Sequence, residues 1–163
     1  MGWSNRPSNF KFTVTKDAED LTKKIAIDTL QQVITRSPVD TGAYRNSHRV
    51  SLNSADKSQV PISTNKNGNE ALADGAAKIA TLKLGGMLYV QNNLPYCMKL
   101  ENGYSKQAPL GVYKLAFLSI VAKYFLSCLH GSEHLSNIRF KFSGFLSCLH
   151  GSEQYLLGFA KPP

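Results

Sequence analysis

The residues best equipped for chemistry sit in a duplication. "FLSCLHGSE" occupies 125–133 and recurs without a substitution at 145–153, and the copies hold two of the three cysteines and two of the four histidines. Cys128-x-His130 and Cys148-x-His150 offer four soft ligands of the kind zinc accepts in a tetrahedral site. The spacing argues against it, because structural zinc pairs leave roughly two to four residues between ligands, and one residue strains the chelate. A zinc hydrolase would also need a general base, which the sequence does not supply. Two copies are fewer than the roughly three units that bury a continuous solenoid core. The intervening "HLSNIRFKFSG" continues neither copy. The repeat is expected to be a duplicated DNA element, and 124–163 a replaced or frameshifted terminus with no native role.

Elsewhere the reactive side chains lack partners. Gly85-Gly86 is followed by no lysine in a phosphate-loop arrangement. Cys97 precedes Met98 inside a candidate short helix, where a buried small thiol is expected rather than a nucleophile. His48 stands beside Arg49 in a candidate strand and is expected at the surface. No paired carboxylates and no nucleophile with its base are found. The chain is therefore expected to be no enzyme, with no catalytic residue, cofactor or metal.

A length of 163 residues fits one domain with a tail, and 42% hydrophobic against 18% charged residues suits a folded chain. The opening "MGWSNRPSNFKFTVTK" lacks a secretory apolar run, Arg6 stands where a myristoylation motif wants Ser or Thr, and no run of about 18 apolar residues exists to cross a bilayer. A cytoplasmic product with free thiols is expected. Nineteen Lys and Arg against eleven Asp and Glu give +8, an excess that suits a polyanionic neighbour. The positive residues are scattered singly, without an aromatic-interleaved recognition motif.

The elements that must position these groups begin with a helix. From Asp17 to Arg36, Ala18, Leu21, Ile25, Thr29 and Val33 recur at three- and four-residue steps, with Leu30 and Ile34 widening the stripe. Acidic residues fall in its expected first turn, Arg36 in its last, and Pro38 stops it. Before it, Phe10, Phe12 and Val14 alternate with polar residues, which predicts a strand. "HRVSLN", 59–63 and "MLYVQNN" are further strands, the last with Leu88 and Val90 on one face. A long exposed loop is expected over Ser63 to Gly75, with a helical turn near Glu70 to Ala73. Ala76 to Leu84 is helix or strand. "PYCMKLENG" is a short helix with Gly103 just beyond its end, and Gly111 to Tyr124 runs from strand into helix.

Two stretches say more than composition does: "SPVDTGAYRNS", 37–47, and "LPYCMKLENGYSKQAPLGVYKLAF", 94–117. In the first, Asp40 or Thr41 can bond turn donors and Gly42 supplies a positive φ. In the second, Glu101 can pair with Lys106 or Arg45, or stay a solvated surface charge. Taken in order, they resemble the small neck or tail-completion proteins at the head–tail junction of long-tailed bacteriophages and prophages. The matching positions are Pro38, Val39, Asp40, Thr41, Gly42, Arg45 and Ser47, then Pro95, Tyr96, Leu100, Glu101, Gly103, Ser105, Lys106, Ala108 and Pro109. The resemblance covers about 10–122.

What the resemblance implies is a structural virion protein, made in the host cytoplasm. It would form a ring of identical subunits against the connector or head-completion and tail-tube proteins, tolerate passing DNA, and touch no membrane. Pro38, Asp40, Thr41, Gly42, Arg45, Tyr96, Glu101, Gly103, Ser105, Lys106 and Pro109 would be scaffold or interface residues. The fold expected is α+β, an antiparallel sheet of about four strands with the long helix on one face and short helices besides. An arm with the first strand would span 1–15, the domain 16–123 and the atypical tail 124–163. The alternative from another class is a small basic nucleic-acid-binding protein.

Overall fold

The computed structural model describes residues 7–58 and 63–124. It is α+β: a long helix, a two-stranded antiparallel sheet and several shorter helices. α1 runs from Pro7 to Arg36. The periodic segment from Asp17 is helical as expected, but the expected strand over Phe10, Phe12 and Val14 is helix too. Three alternating residues carry little register information, and extending an existing helix gains a hydrogen bond for each residue fixed. Pro7 suits the first turn, where its missing N–H costs nothing. Thr13, Thr15, Thr22 and Thr29 each donate a hydroxyl to the carbonyl four residues back, at 2.7–3.0 Å. The boundary drawn at residue 15 therefore falls inside α1.

α2, Ala43–Asn46, leads into β1, His48–Leu52, which pairs with β2, Leu88–Asn92. Val50 lies opposite Val90 and Leu52 opposite Leu88, which sets the apolar side of the sheet as alternation predicts. The described residues contain two strands in this sheet, not about four. The third candidate, 59–63, lies outside the described residues except for Ser63. The fourth was the segment that α1 absorbs.

Between the strands comes α3, Asn69–Ala80, in place of most of the expected exposed loop. Its buried residues, Ala71, Gly75 and Ile79, recur every four positions as a narrow stripe, which the Asn- and Gly-rich run just before it obscures. A Cβ on Gly75 would stand 2.3 Å from Cδ2 of Leu30 and 2.9 Å from Cγ2 of Val50. Glycine thus lets α3 lie close over both α1 and β1. Ala26, Leu30, Ile34, Val50, Ala71 and Ile79 form one core cluster there. Each fully buried aliphatic side chain contributes about 1.5–3 kcal/mol.

α4, Cys97–Glu101, is the expected short helix, with Gly103 beyond it at φ 83°. α5, Tyr113–Tyr124, is helical from its start, so the expected strand at Gly111 is absent. A second cluster joins Val33 of α1 to Tyr44, Cys97, Ala108, Val112 and Ala116. Cys97 is buried as expected, yet it is disulfide-bonded and no free thiol. Its partner, like both copies of "FLSCLHGSE" and the tail 125–163, lies outside the described residues.

Candidate functional site

The two stretches that carry the resemblance fold against each other. The connection starts where α1 ends. Ser37 donates its hydroxyl to the carbonyl of Val33 at 2.8 Å, and its Oγ lies 2.6 Å from Nε2 of His48. Nδ1 of the same ring lies 2.8 Å from the hydroxyl of Tyr113. A serine has one hydroxyl proton, and here it goes to Val33. The imidazole therefore donates from Nε2 to Ser37 and accepts at Nδ1 from Tyr113, which satisfies every group once.

This assignment explains how a histidine expected at the surface comes to be 2% exposed. His48 shares the inward side of β1 with Val50, and a neutral imidazole with both nitrogens bonded can be buried at little cost. Burial holds its pKa down to about 3, with the Arg45 charge adding to the effect. Tyr44 meets the ring edge-on at 5.1 Å, and burial pushes the Tyr44 hydroxyl well above the usual phenol range, helped by Glu101 and Tyr96. The Ser–His–Tyr series is reminiscent of a proton relay. His48 and Ser37 are buried, and Tyr113 at the end of the series is half-buried.

Glu101 has a role that neither of its expected pairings describes. Its Oε2 accepts the backbone N–H of Val112 at 2.8 Å and of Tyr113 at 3.0 Å, and its Oε1 that of Lys114 at 2.9 Å. A carboxylate 12 residues before the first residue of α5 thus caps the N-terminus of that helix, where unpaired donors and the helix dipole both favour negative charge. Among the described residues it makes no ion pair with Lys106 or Arg45. Gly111 allows the approach, since its φ is 85° and a Cβ there would stand 2.6 Å from the Glu101 carbonyl oxygen.

Arg45 turns back to the C-terminal end of α1. It donates to the carbonyls of Ser37 at 2.9 Å and Thr35 at 3.4 Å, and to Lys66 at 3.1 Å, so a cation closes the negative end of the helix. Gly42, at φ 92°, packs so tightly on the loop that a Cβ would fall 2.6 Å from the Asn65 carbonyl oxygen. Thr41 Oγ1 accepts from the N–H of Ala43 at 3.4 Å. Pro38 leads the turn after α1, and Asp40 is exposed, where its charge adds to the burial that raises the Tyr96 hydroxyl pKa.

In the second stretch, Gly103 sits where a Cβ would meet the Pro109 carbonyl at 2.3 Å, so the loop closes on itself there. Ser105 pairs with Ala108 in an isolated bridge and accepts from the N–H of Gln107 at 3.2 Å. Gln107, which no motif singled out, bonds Val39 in both directions: its Oε1 accepts the Val39 N–H at 2.9 Å and its Nε2 donates to the Val39 carbonyl at 3.1 Å. Asn92 donates to the Tyr44 carbonyl at 3.0 Å. Lys106 and Pro109 are exposed, as are Tyr104 and Leu110 beside them.

A separate polar cleft of about 340 Å³ lies between α1 and α5, and no motif residue lines it. Asp28 at its wall accepts from Lys123 Nζ at 2.6 Å and from the Tyr124 hydroxyl. Those two bonds hold its carboxyl below the usual range, partly opposed by burial. Among the described residues no cluster of three His, Cys, Asp or Glu could hold a metal, and no helix is long and apolar enough to cross a membrane. Compared with known protein families, with curated proteins and with solved structures, the chain shows no significant match.

Proposed function

We propose that this chain is a structural virion protein of the head–tail junction of a long-tailed bacteriophage or prophage. It would act as a neck or tail-completion subunit, by ring assembly and by contact with the connector and tail tube, not by catalysis. The observation that supports this reading most is the docking of the two motif stretches on each other. Gln107 bonds both polar groups of Val39, and Tyr113 reaches His48 across the same junction. Chemically capable groups in and beside these stretches are spent on scaffold: His48 is buried, and Glu101 is saturated by backbone donors. What faces solvent beside them is contact chemistry, namely Tyr96, Met98, Tyr104 and Leu110.

The test is assembly with the connector and tail proteins encoded beside it. Purified chain should join connector or tail particles in co-sedimentation, and particles lacking it should fail to join heads to tails. Binding to DNA by the lone chain, falling steeply between about 50 and 200 mM salt, would favour the nucleic-acid-binding alternative instead.

A further inference from the structure

Cys97 is 0% exposed and disulfide-bonded, and the chain holds three cysteines, so its partner is Cys128 or Cys148. Both candidates sit at the fourth position of the same nonapeptide, "FLSCLHGSE", at 125–133 and again at 145–153. Identical neighbours give neither copy a local advantage. What separates them is the length of chain that joins each to the last described helix.

α5 ends at Tyr124, whose hydroxyl is bonded to Asp28 of α1. Ala116, eight residues earlier, belongs to the cluster that holds Cys97, with Val33, Tyr44, Ala108 and Val112. Those eight residues rise about 12 Å along the helix. Four residues take the chain from Tyr124 to Cys128, and fully extended they reach about 14 Å. Bonded cysteines hold their Cα atoms about 4–7 Å apart, so a tether that turns back along α5 spans the gap. Cys148 stands 24 residues from Tyr124. Effective concentration falls as about the −3/2 power of tether length, which favours the first copy over the second by about tenfold. The flanking residues suit the contact: Tyr96 and Met98 beside Cys97 are 39% and 36% exposed, and Phe125, Leu126 and Leu129 surround Cys128 in the sequence.

We propose that Cys97 pairs with Cys128, which fastens the first copy of the repeat to α4 and leaves Cys148 as the free thiol. In forming, the two protein thiols give two electrons and two protons to a low-molecular-weight disulfide such as oxidised glutathione, which becomes two thiols. Reduction is slow for two reasons. The buried sulfur of Cys97 is closed to attack from solvent, and attack on the Cys128 sulfur must expel a thiolate into the apolar cluster around Cys97. Residues 125–133, expected to have no native role, thus become a staple between the end of α5 and α4. The pairing is independent of the assembly role proposed above.

The full-length chain is equilibrated with oxidised and reduced glutathione, alkylated at its free thiols, digested with trypsin without reduction and weighed by mass spectrometry. Cleavage after Lys83, Lys99, Lys123, Arg139 and Lys141 puts the three cysteines on separate peptides, 84–99, 124–139 and 142–163. Peptide 84–99 should be joined to 124–139, with 142–163 alkylated, in a chain that runs as a monomer on a non-reducing gel. In Cys128→Ser the link should pass to 142–163 and form about tenfold less readily against the same glutathione. Dithiothreitol should open the wild-type link about tenfold or more slowly in buffer than in urea, and the reduced chain should melt roughly 5–15 °C lower. Cys97 found alkylated or bound to glutathione, peptide 84–99 joined to 142–163 in wild type, or a link between two chains would each overturn the pairing. A link that opens as fast folded as unfolded, or a melting temperature unmoved by reduction, would contradict the staple.

Discussion

The hydroxyl of Tyr113, the first residue of α5, donates to Nδ1 of His48, the first residue of β1, across 2.8 Å. Because Nε2 of the same ring is held by Ser37 at the end of α1, one imidazole ties three elements together, and its neutral form is the one that fits.

That neutrality gives stability a pH dependence. His48 titrates near 3 in the folded chain and near 6.5 when unfolded, so the unfolded chain binds the extra proton between those values. The contribution is complete above about pH 6.5 and falls by about 1.4 kcal/mol per unit as pH drops toward 3. Urea unfolding at pH 4.5 should show a loss of about 2–3 kcal/mol against pH 7.5, most of it missing in His48→Gln. Asp56, held near 2 chiefly by Ser58, loses its share only below about pH 4, outside this window.

Tyr113→Phe keeps the ring and removes the donor, leaving Nδ1 buried with no proton to accept. A loss of about 1–3 kcal/mol is expected, read as a lower urea midpoint at unchanged slope.

Glu101→Gln leaves a single oxygen for three backbone donors and should cost about 1–3 kcal/mol. Lys106→Ala should change stability by less than about 0.5 kcal/mol, since no ion pair joins the two. Equal effects from both substitutions in chemical denaturation would restore the salt-bridge reading. Gly111→Ala should match or exceed the Glu101 loss, because it meets the Glu101 carbonyl oxygen.

In an exposed helix, Gly→Ala gains about 1 kcal/mol. Gly75→Ala should instead lose about 1–3 kcal/mol, since the new methyl collides with Leu30 and Val50, both fully buried and without room to turn. A raised melting temperature in this variant would contradict the close crossing of α1 and α3.

The sequence was most informative where periodicity and turn chemistry act locally. The stripe from Asp17 to Arg36, the strand at Leu88–Asn92 and the short helix ending before Gly103 follow from spacing alone. It misled where the deciding partner is distant. Phe10 and Phe12 alternate as a strand would, yet both are largely exposed, so their pattern records no burial. α5 starts at Tyr113 because Glu101 caps it from another helix, which no window around Gly111 reveals. His48 reads as a polar residue beside an arginine until Ser37 and Tyr113 are seen to satisfy it. Gln107, whose pairing with Val39 locks the motifs together, had no sequence signal beyond lying inside the second stretch.

The most direct measurement is co-sedimentation of the purified chain with connector and tail particles assembled from the proteins encoded beside it, with Tyr104→Asp/Leu110→Asp as the comparison. Wild type should travel with the particles, and the variant, folded as judged by circular dichroism, should bind about tenfold or more weakly. Wild type left in the supernatant at every concentration, or a variant bound as tightly as wild type, would contradict a role carried by this surface.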